Sequence, residues 1–209
     1  MTNVYHLKTP FKEEKIRLLN VGDVVYVSGE AFTCRSRLHR YVFDEGNPSP
    51  DAALERDLLI HVGPIVVKDP DGKWRLVSFM PTSSIRFEKW GAKSVENWGL
   101  HMIIGKTTMG EETMAMMRRN DCVHVSPQSV SPNLWIDHIE IEGVELFETL
   151  GSIEATWKMK LSELGPFVVD VDTKGRNLYK AHEAEVDAAR EKALEKLGID
   201  PEFRYTKLY

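Results

Sequence analysis

Three hydroxyl side chains and an arginine follow the end of an apolar segment. The segment WRLVSFM (74–80) stops at a proline, after which Thr82, Ser83 and Ser84 precede Arg86. Packing of a hydrophobic core does not require three hydroxyl residues in a row. One of them would satisfy the free N–H groups at the start of a helix, and the same helix start would attract an anion. The stretch therefore predicts a helix cap, an anion-binding site, or both.

Two other segments share this pattern of an apolar strand followed by small or hydroxyl residues and a cation. They are SGEAFTCR (28–35), which ends at Arg35, and IIGK (103–106), which ends at Lys106. Loops at strand ends of a rigid sheet are common places for functional sites. If the three strand ends converge, their cations form a cleft that binds a small dianion, with bidentate contacts from the arginines. Taken singly, each cation is also typical of a surface residue that pairs with a carboxylate.

The other chemically capable residues are interpreted as structural. His39 lies in the helical stretch RSRLHR without an identifiable partner, so a packed or exposed structural histidine is favoured over a general base. Cys34 stands beside Arg35, which could lower its pKa and make it reactive, but a small packing residue is favoured. The chain has two cysteines, Cys34 and Cys122, and no HExxH or CxxC spacing. We therefore expect free thiols and no metal bound by this chain alone.

Composition bounds the remaining classes of function. The 209 residues are 42% hydrophobic and 28% charged, which suits one globular domain or one domain with an appendage. The formal net charge of -5 provides no field that would draw the chain to nucleic acid or to an anionic membrane. No apolar stretch approaches the roughly 20 residues that span a bilayer, and no phosphate-binding glycine motif is present. The N-terminus lacks the apolar core of a signal peptide, so the cytoplasm is the expected location.

Hydrophobic periodicity predicts an α/β protein with a mixed sheet, because strands and helices do not alternate strictly and at least one hairpin interrupts them. Asp-Gly in KDPDGK (68–73) predicts the tip of that hairpin, and NPSPDAALERD (47–57) predicts a loop. Predicted strands lie at 21–29, 58–67, 74–80, 100–105, 122–126, 138–143 and 156–164, with 167–173 forming a hairpin with the residues after it. Predicted helices lie at 36–46, 85–99, 110–120 and 181–198.

Four ordered segments together resemble one protein family. They read LNVGDVVYVSGEAFTCRSRLHR, HVGPIVVKDPDGKWRLVSFMPTSSIRFEKW, MIIGKTTMGEET and LGPFVVDVDTKGRNLY. They are similar to the β subunit of the two-subunit iron–sulfur hydro-lyases, which include L(+)-tartrate dehydratase and, as a C-terminal domain, the class I fumarases. The resemblance implies a swivelling β/β/α domain over residues 1–180, followed by an extra C-terminal helix and tail at 181–209.

The resemblance also implies a function. It implies reversible dehydration of a 2-hydroxy dicarboxylate, either tartrate to oxaloacetate or malate to fumarate. A larger α subunit would hold a [4Fe–4S] cluster, and the active site would lie between the subunits, in a heterodimer or an α2β2 assembly. Matched to the family motifs, Thr82 falls on the proposed base. The substrate-binding positions fall on Arg35, Arg86 and Lys106, with Ser83 and Ser84 orienting substrate or capping the helix.

Departures from the family pattern leave the substrate open. Family glycines are replaced by Met80 and Thr107, the second threonine is Ser83, and Ser36 follows the first arginine in place of an acid. The loop SPQSVSPNL (126–134) stands where relatives are rich in glycine and alanine. A non-catalytic dicarboxylate-binding module of the same fold is the alternative. A swivelling phosphohistidine carrier would need a histidine on an exposed loop, which a helical histidine fits poorly.

Overall fold

The structure is a computed structural model that describes residues 2–127, 131–200 and 202–204. The strands are β1 (Val4–Lys8), β2 (Val24–Thr33), β3 (Leu58–Ile60), β4 (Ile65–Lys68), β5 (Trp74–Ser78), β6 (Met102–Ile104), β7 (Val123–Pro127), β8 (Ile139–Glu145) and β9 (Thr156–Val171). The α-helices are α1 (Glu13–Ile16), α2 (Ser36–His39), α3 (Asp51–Glu55), α4 (Glu88–Asn97), α5 (Glu111–Arg119), α6 (Phe147–Leu150) and α7 (Leu178–Lys196). A π-helical turn, Arg40–Asp44, extends α2, and a 3-10 turn, Ser84–Phe87, leads into α4.

The main sheet is mixed, as predicted, and its pairings close into a ring. Strands β2, β3, β6 and β7 run parallel to one another in that order. The long strand β9 is antiparallel to both β7 and β2, which joins the two ends of the row. Strand β1 adds to β2 and strand β8 adds to β9, while β4 and β5 form a separate two-stranded hairpin. The chain is therefore an α/β protein built around a closed, mixed sheet.

Alternating side chains of the ring strands pack into two cores. Leu58 and Ile60 of β3 belong to a cluster that takes side chains from every strand of the ring. Leu59, which lies between them, belongs to a second cluster that includes side chains of α2, α3, α4 and α5. Because successive side chains of a strand point to opposite faces, a continuous apolar run such as LLI supplies both cores at once.

The predicted single strand at 58–67 is wrong. The chain leaves the main sheet after Ile60, turns through residues 61–64, and then enters β4, whose Ile65 is exposed. Pro64 has no N–H to donate to a strand ladder, and it follows a glycine, so the turn has a local cause. An apolar run does not show by its periodicity whether it is one strand or two.

Two other expectations also need correction. The predicted loop at 47–57 contains α3, because Glu145 accepts hydrogen bonds from the backbone N–H groups of Asp51 and Ala52 at the start of that helix. This cap comes from a distant part of the chain and leaves no local sequence signal. The predicted strand 167–173 is instead the second half of β9, and the hairpin that it forms with the following residues is short, with a bridge between Val171 and Asn177 and a hydrogen bond from Asp172 N to Arg176 O.

The remaining predicted elements are confirmed within a few residues. The β4–β5 hairpin, the helices at α4 and α5, and the strands β6 to β8 lie where the pattern placed them. The C-terminal helix is also present as α7, although none of its described side chains is buried. Residues 128–130 of the loop 126–134 and the last residues, KLY, lie outside the described residues. Among the described helices, none has the length and apolar character needed to cross a membrane.

Candidate functional site

The carboxyl ends of four parallel strands meet at one edge of the ring. Residues that directly follow β2, β3 and β6 continue the hydrogen-bonded ladder beyond the named strands. These bonds run from Cys34 N to Ile60 O (3.1 Å), from His61 N to Ile104 O (2.9 Å) and from Gly105 N to Val125 O (3.1 Å). The ends of β2 and β6, which were predicted to converge, therefore both lie beside the end of β3, whereas the third predicted strand end belongs to β5 in the separate hairpin. This edge of a sheet is where ligands commonly bind in α/β proteins.

Thr82 and Lys106 are joined by backbone hydrogen bonds at this edge. Thr82 N donates to the carbonyl of His61 at 2.5 Å, and Lys106 N donates to the carbonyl of Thr82 at 3.1 Å. Ser84 N in turn donates to the carbonyl of Lys106 at 2.8 Å, and Ser83 pairs with Lys106 as a parallel bridge. The side chain of Thr82 is half-buried and that of Lys106 is exposed. Two of the predicted site residues thus lie side by side.

Arg86 and Lys106 are exposed cations that make no ion pair within the described residues. Arg86 lies on the 3-10 turn that follows the hydroxyl residues, and its N–H donates to Ser83 O at 3.4 Å. The salt bridges of the described chain involve neither this guanidinium nor the Lys106 ammonium. The alternative reading, in which each cation pairs with a nearby carboxylate, does not describe these two side chains. Both remain available to an anionic ligand.

Arg35 is placed differently from the other two cations. Its side chain is 21% exposed, and its Nε lies 3.6 Å from Glu154 Oε1. A Cβ on Gly63 would come within 2.6 Å of Arg35 Nη1, so the guanidinium packs against the turn that leaves β3. That turn begins with His61, whose carbonyl binds Thr82. Arg35 is therefore next to the segment that holds Thr82, with Glu154 as a partner.

The side chain of Ser84 points into the protein, in contrast to the sequence prediction that it orients substrate or caps a helix. Its residue is fully buried, and its Oγ lies 2.8 Å from both His61 Nδ1 and His124 Nε2. His124 Nδ1 donates to the carboxylate of Asp170 at 2.7 Å. Ser83, which precedes the 3-10 turn, makes no side-chain cap hydrogen bond, so the capping prediction is wrong for this residue.

Burial keeps two histidines neutral at this edge. Burial lowers the pKa of His39 to about 3, although a hydrogen bond to the Arg35 carbonyl partly opposes this shift. Burial also lowers the pKa of His61 well below its usual value, and the nearby His39 and His124 lower it further. Since both imidazoles are uncharged at neutral pH, they act as hydrogen-bonding and packing groups rather than as cations.

The interpretations of His39 and Cys34 as packing residues are confirmed. The His39 ring is fully buried and stacks on Trp90, with centroids 5.6 Å apart and planes at 3°. Cys34 is buried with its Sγ 3.3 Å from His39 Nδ1, and burial raises the pKa of this thiol. The alternative of a reactive, low-pKa Cys34 is therefore wrong. Both cysteines of the chain are free and buried.

The described residues do not fit an iron–sulfur cluster. Among them, no three His, Cys, Asp or Glu side chains are grouped so that they could hold a metal ion. The histidines nearest the candidate site are already engaged by a serine hydroxyl, and His124 is also bound by a carboxylate. Any metal chemistry at this edge would therefore rely on ligands from outside the described part of the chain.

Backbone constraints at β6 explain two residues of the IIGKT segment. A Cβ on Gly105 would collide with Ser84 Oγ, so only glycine leaves room for the buried hydroxyl. Thr107 has φ of 67°, a left-handed conformation that glycine adopts readily and threonine does not. Hydrogen bonds offset part of this strain, because the Thr107 hydroxyl donates to Lys106 O and Ser126 Oγ donates to Thr107 O. A glycine at this position, as in the family motif that the sequence resembles, would adopt this conformation without strain.

Sequence reasoning missed His61, His124 and Asp170 as parts of this edge. Each is a polar residue within or directly after an otherwise apolar strand, in LLIH, CVHVS and FVVDVDT. A buried polar residue needs a hydrogen-bond partner, so these positions were signals that the chain contains a polar network. The sequence alone does not show which residues pair with one another.

Comparisons with known proteins show the family of this chain. The profile of the Fumarase C-terminus family matches residues 2–182. The chain belongs to this family. The chain is also similar to the L(+)-tartrate dehydratase subunit beta of Escherichia coli (strain K12), which is 36% identical over 173 residues, 82% of this chain and 85% of that protein. The family resemblance stated from sequence motifs is thereby confirmed.

Two further relatives differ in length. The putative fumarate hydratase class I of Geobacillus stearothermophilus is 33% identical over 178 residues, which are 85% of this chain but 34% of that protein. The chain thus spans about a third of that relative. The putative L(+)-tartrate dehydratase subunit beta of Methanocaldococcus jannaschii is 26% identical over 171 residues, 80% of this chain and 87% of that protein. Most of α7 lies beyond the family match, and the division of the chain at residue 180 stays a prediction.

Proposed function

We propose that this chain is the β subunit of a hydro-lyase that reversibly dehydrates a 2-hydroxy dicarboxylate, either tartrate or malate. The proposal rests on the family to which the chain belongs and on relatives named as tartrate dehydratase β subunits and a class I fumarate hydratase. The observation that carries it is the direct backbone pairing of Thr82 with Lys106, beside the unpaired Arg86.

The three cations bind the two carboxylates of the substrate in this proposal. Arg86 and Lys106 have no competing carboxylate among the described residues, so they are the main anchors. Arg35 already has Glu154 nearby, and this carboxylate holds its guanidinium against the turn after β3. Hydrogen bonds to a charged group contribute about 1.5–3 kcal/mol each, so loss of one anchor weakens binding severely.

Thr82 is the proposed base that removes the proton from the carbon beside a substrate carboxylate. A threonine hydroxyl is a poor base unless its ionised form is stabilised, and nearby positive charges do this. The negative charge that develops on the substrate carboxylate in this step is stabilised by the same cations. Ser83, which is half-buried and pairs with Lys106, remains a proposed contact for the substrate.

A partner subunit completes the enzyme in this proposal. It would hold a [4Fe–4S] cluster, which supplies the Lewis acid that accepts the leaving hydroxide when it is bound. The described part of this chain has no ligand set for such a cluster. The two subunits would form a heterodimer or an α2β2 assembly. The two free thiols of this chain suit a reducing compartment such as the cytoplasm.

Co-expression with a candidate α chain tests the proposal. The purified complex is assayed without oxygen on tartrate, malate and fumarate, with citramalate and mesaconate as further dicarboxylates. We expect turnover of at least one 2-hydroxy dicarboxylate by the complex and none by either chain alone. A complex of the two chains that carries its cluster and turns over no substrate of this panel would contradict the proposal.

A non-catalytic dicarboxylate-binding module is the second candidate. It is favoured by one observation, that the unpaired Arg86 and Lys106 lie on a chain whose described residues offer no metal ligand set. Calorimetric titration of the isolated chain with tartrate and malate distinguishes the two candidates. Micromolar binding without a partner supports the module, whereas binding that appears only in the complex supports the subunit.

A further inference from the structure

A buried chain of side-chain hydrogen bonds lies directly under the proposed base. It consists of Asp170, His124, Ser84 and His61, and we refer to it as the Ser84 network. We propose that the Ser84 network positions Thr82 and Lys106 relative to each other, so that its members are positioning residues of the hydro-lyase. This inference rests on the proposed function of the site.

The geometry of the Ser84 network shows how its members are joined. His124 Nδ1 lies 2.7 Å from a carboxylate oxygen of Asp170, which only accepts, so this nitrogen carries the hydrogen. The Ser84 hydroxyl oxygen lies 2.8 Å from His124 Nε2 on one side and 2.8 Å from His61 Nδ1 on the other. A hydroxyl can donate to one of these nitrogens and accept from the other, so one serine joins both imidazoles. Ser84 is therefore the centre of the network.

The Ser84 network is linked to the site through the backbone of its own members. Ser84 N donates to the carbonyl of Lys106 at 2.8 Å, and the carbonyl of His61 accepts the N–H of Thr82. Lys106 N donates to Thr82 O at 3.1 Å, which closes a loop of bonds between the two site residues and the network. A movement of Ser84 therefore shifts both the proposed base and one substrate anchor.

The combination of serine, histidine and aspartate also occurs in hydrolases, but the arrangement here does not suit a nucleophile. The residue Ser84 has no exposed surface, and its hydroxyl is held by two imidazoles. Gly105 packs so closely over it that no side chain fits between them. A substrate cannot reach this oxygen, whereas a positioning role requires only that it stay in place. Displacing catalytic groups by about 1 Å can lower a rate by about 100-fold.

The substitution Ser84→Ala tests the inference in the full chain. It leaves ring nitrogens of His61 and His124 without a partner, so the bonds at Thr82, Ser84 and Lys106 should open more often. We expect amide hydrogen exchange at these three positions to become at least about 10-fold faster, by mass spectrometry or NMR. Ser94→Ala is the matched control, because Ser94 is also buried but its hydroxyl donates to Trp90 O within α4. Its exchange at the three amides should be unchanged.

Kinetics of the assembled complex supply the second readout. We expect Ser84→Ala to lower kcat by about 10-fold or more with a smaller change in KM, because the base is displaced while Arg86 still binds. If Ser84→Ala does not fold, Asp170→Asn keeps the volume of the side chain and should show the same pattern more weakly. Unchanged amide exchange in the folded variants would overturn the inference. Because exchange is measured without substrate, a complex that lacks activity would count against the proposed function alone.

Discussion

The strand-end edge of the ring and the C-terminal helix show two different ways in which this chain forms local structure. At the edge, Thr82 and Lys106 are held by hydrogen bonds from distant parts of the chain. They lie beside the Ser84 network, whose central residue Ser84 is fully buried. Helix α7 has no buried residue in its described part, and its clearest constraint is a local cap by Asn177. The edge has one arrangement that several buried tertiary contacts impose, whereas α7 is joined to the rest of the chain through its first turn, where Lys180 forms an exposed ion pair with Glu111.

This difference indicates where function can reside. A catalytic group must be held within a fraction of an ångström, which requires several tertiary contacts. An isolated helix is only marginally stable in water, so an exposed helix is a poor support for chemistry. The residues that bring the site together should therefore respond strongly to substitution, and α7 should respond weakly. The expected effects below run from the largest to the smallest.

The largest effect is expected for Thr82→Ala in the assembled complex. Loss of a general base typically costs about 10²–10⁴-fold in rate, so kcat should fall by that factor while KM changes little. Thr82→Ser keeps the hydroxyl and should retain more activity than Thr82→Ala. Steady-state kinetics under anaerobic conditions measure both values. A kcat within a few-fold of the unmodified complex would remove Thr82 as the base.

Neutralising an anchor should weaken substrate binding. Lys106→Gln or Arg86→Gln removes a charge-assisted contact that is worth about 1.5–3 kcal/mol, so KM should rise by about 10- to 150-fold. Lys93→Gln, at an exposed lysine of α4, is the control and should leave KM unchanged. Equal KM values for all three variants would place both cations outside the site.

Gly105→Ala should destabilise the folded chain. The added Cβ would collide with Ser84 Oγ and lie 3.1 Å from His124 Nε2, so the network has to move. Overpacking of this kind costs about 1–3 kcal/mol of unfolding free energy, measured by urea denaturation. Gly143→Ala is the matched control, because its nearest neighbour would be 4.0 Å away. Similar stability of the two variants would contradict the packing described for the edge.

Stability should also fall on mild acidification. The pKa values of His39 and His61 are lower in the folded chain than the usual 6.5, so below that pH the unfolded chain binds more protons. The two histidines thus stabilise the folded chain fully above pH 6.5, and this contribution is lost progressively as pH falls toward 3. Urea unfolding at pH 7.5 and 5.5 should show a lower free energy at the lower pH. Replacing His39 by Phe should make this dependence smaller, and an unchanged dependence would contradict the neutral, buried state of this ring.

The smallest effect is expected for removal of the residues beyond 182, where the family match ends. Because no described side chain of α7 is buried, the unfolding free energy should change by less than about 1 kcal/mol. Calorimetric melting of the truncated and full chains measures this difference. A large loss of stability would show that α7 contributes to the core after all.

The sequence predicted the fold better than the site. Alternation and turn residues predicted the strands of the ring, since these patterns report which side chains face a core. The division between β3 and β4 was missed because an apolar run looks the same whether the chain continues or turns. Helix α3 was missed because its first N–H groups are bound by Glu145, far along the chain.

For the site, the order of motifs led to Thr82, Arg35, Arg86 and Lys106, and the structure brings Thr82 and Lys106 into contact. The sequence could not show the role of Ser84, because whether a serine faces a cleft or the interior depends on the residues that surround it in the fold. His124 and Asp170 meet only when β7 and β9 pair. Pairing between strands is a property of the folded sheet, so such networks are not visible in a linear sequence.

The central claim is that a hydroxyl and unpaired cations at one sheet edge form a dicarboxylate site. A crystal structure of the assembled complex with a slowly reacting 2-hydroxy dicarboxylate tests it most directly. The account predicts carboxylate oxygens about 2.7–3.2 Å from the terminal nitrogens of Arg86 and Lys106, with Thr82 Oγ facing the carbon that loses its proton. A ligand bound in the complex without contact to Thr82 and Lys106 would contradict the account.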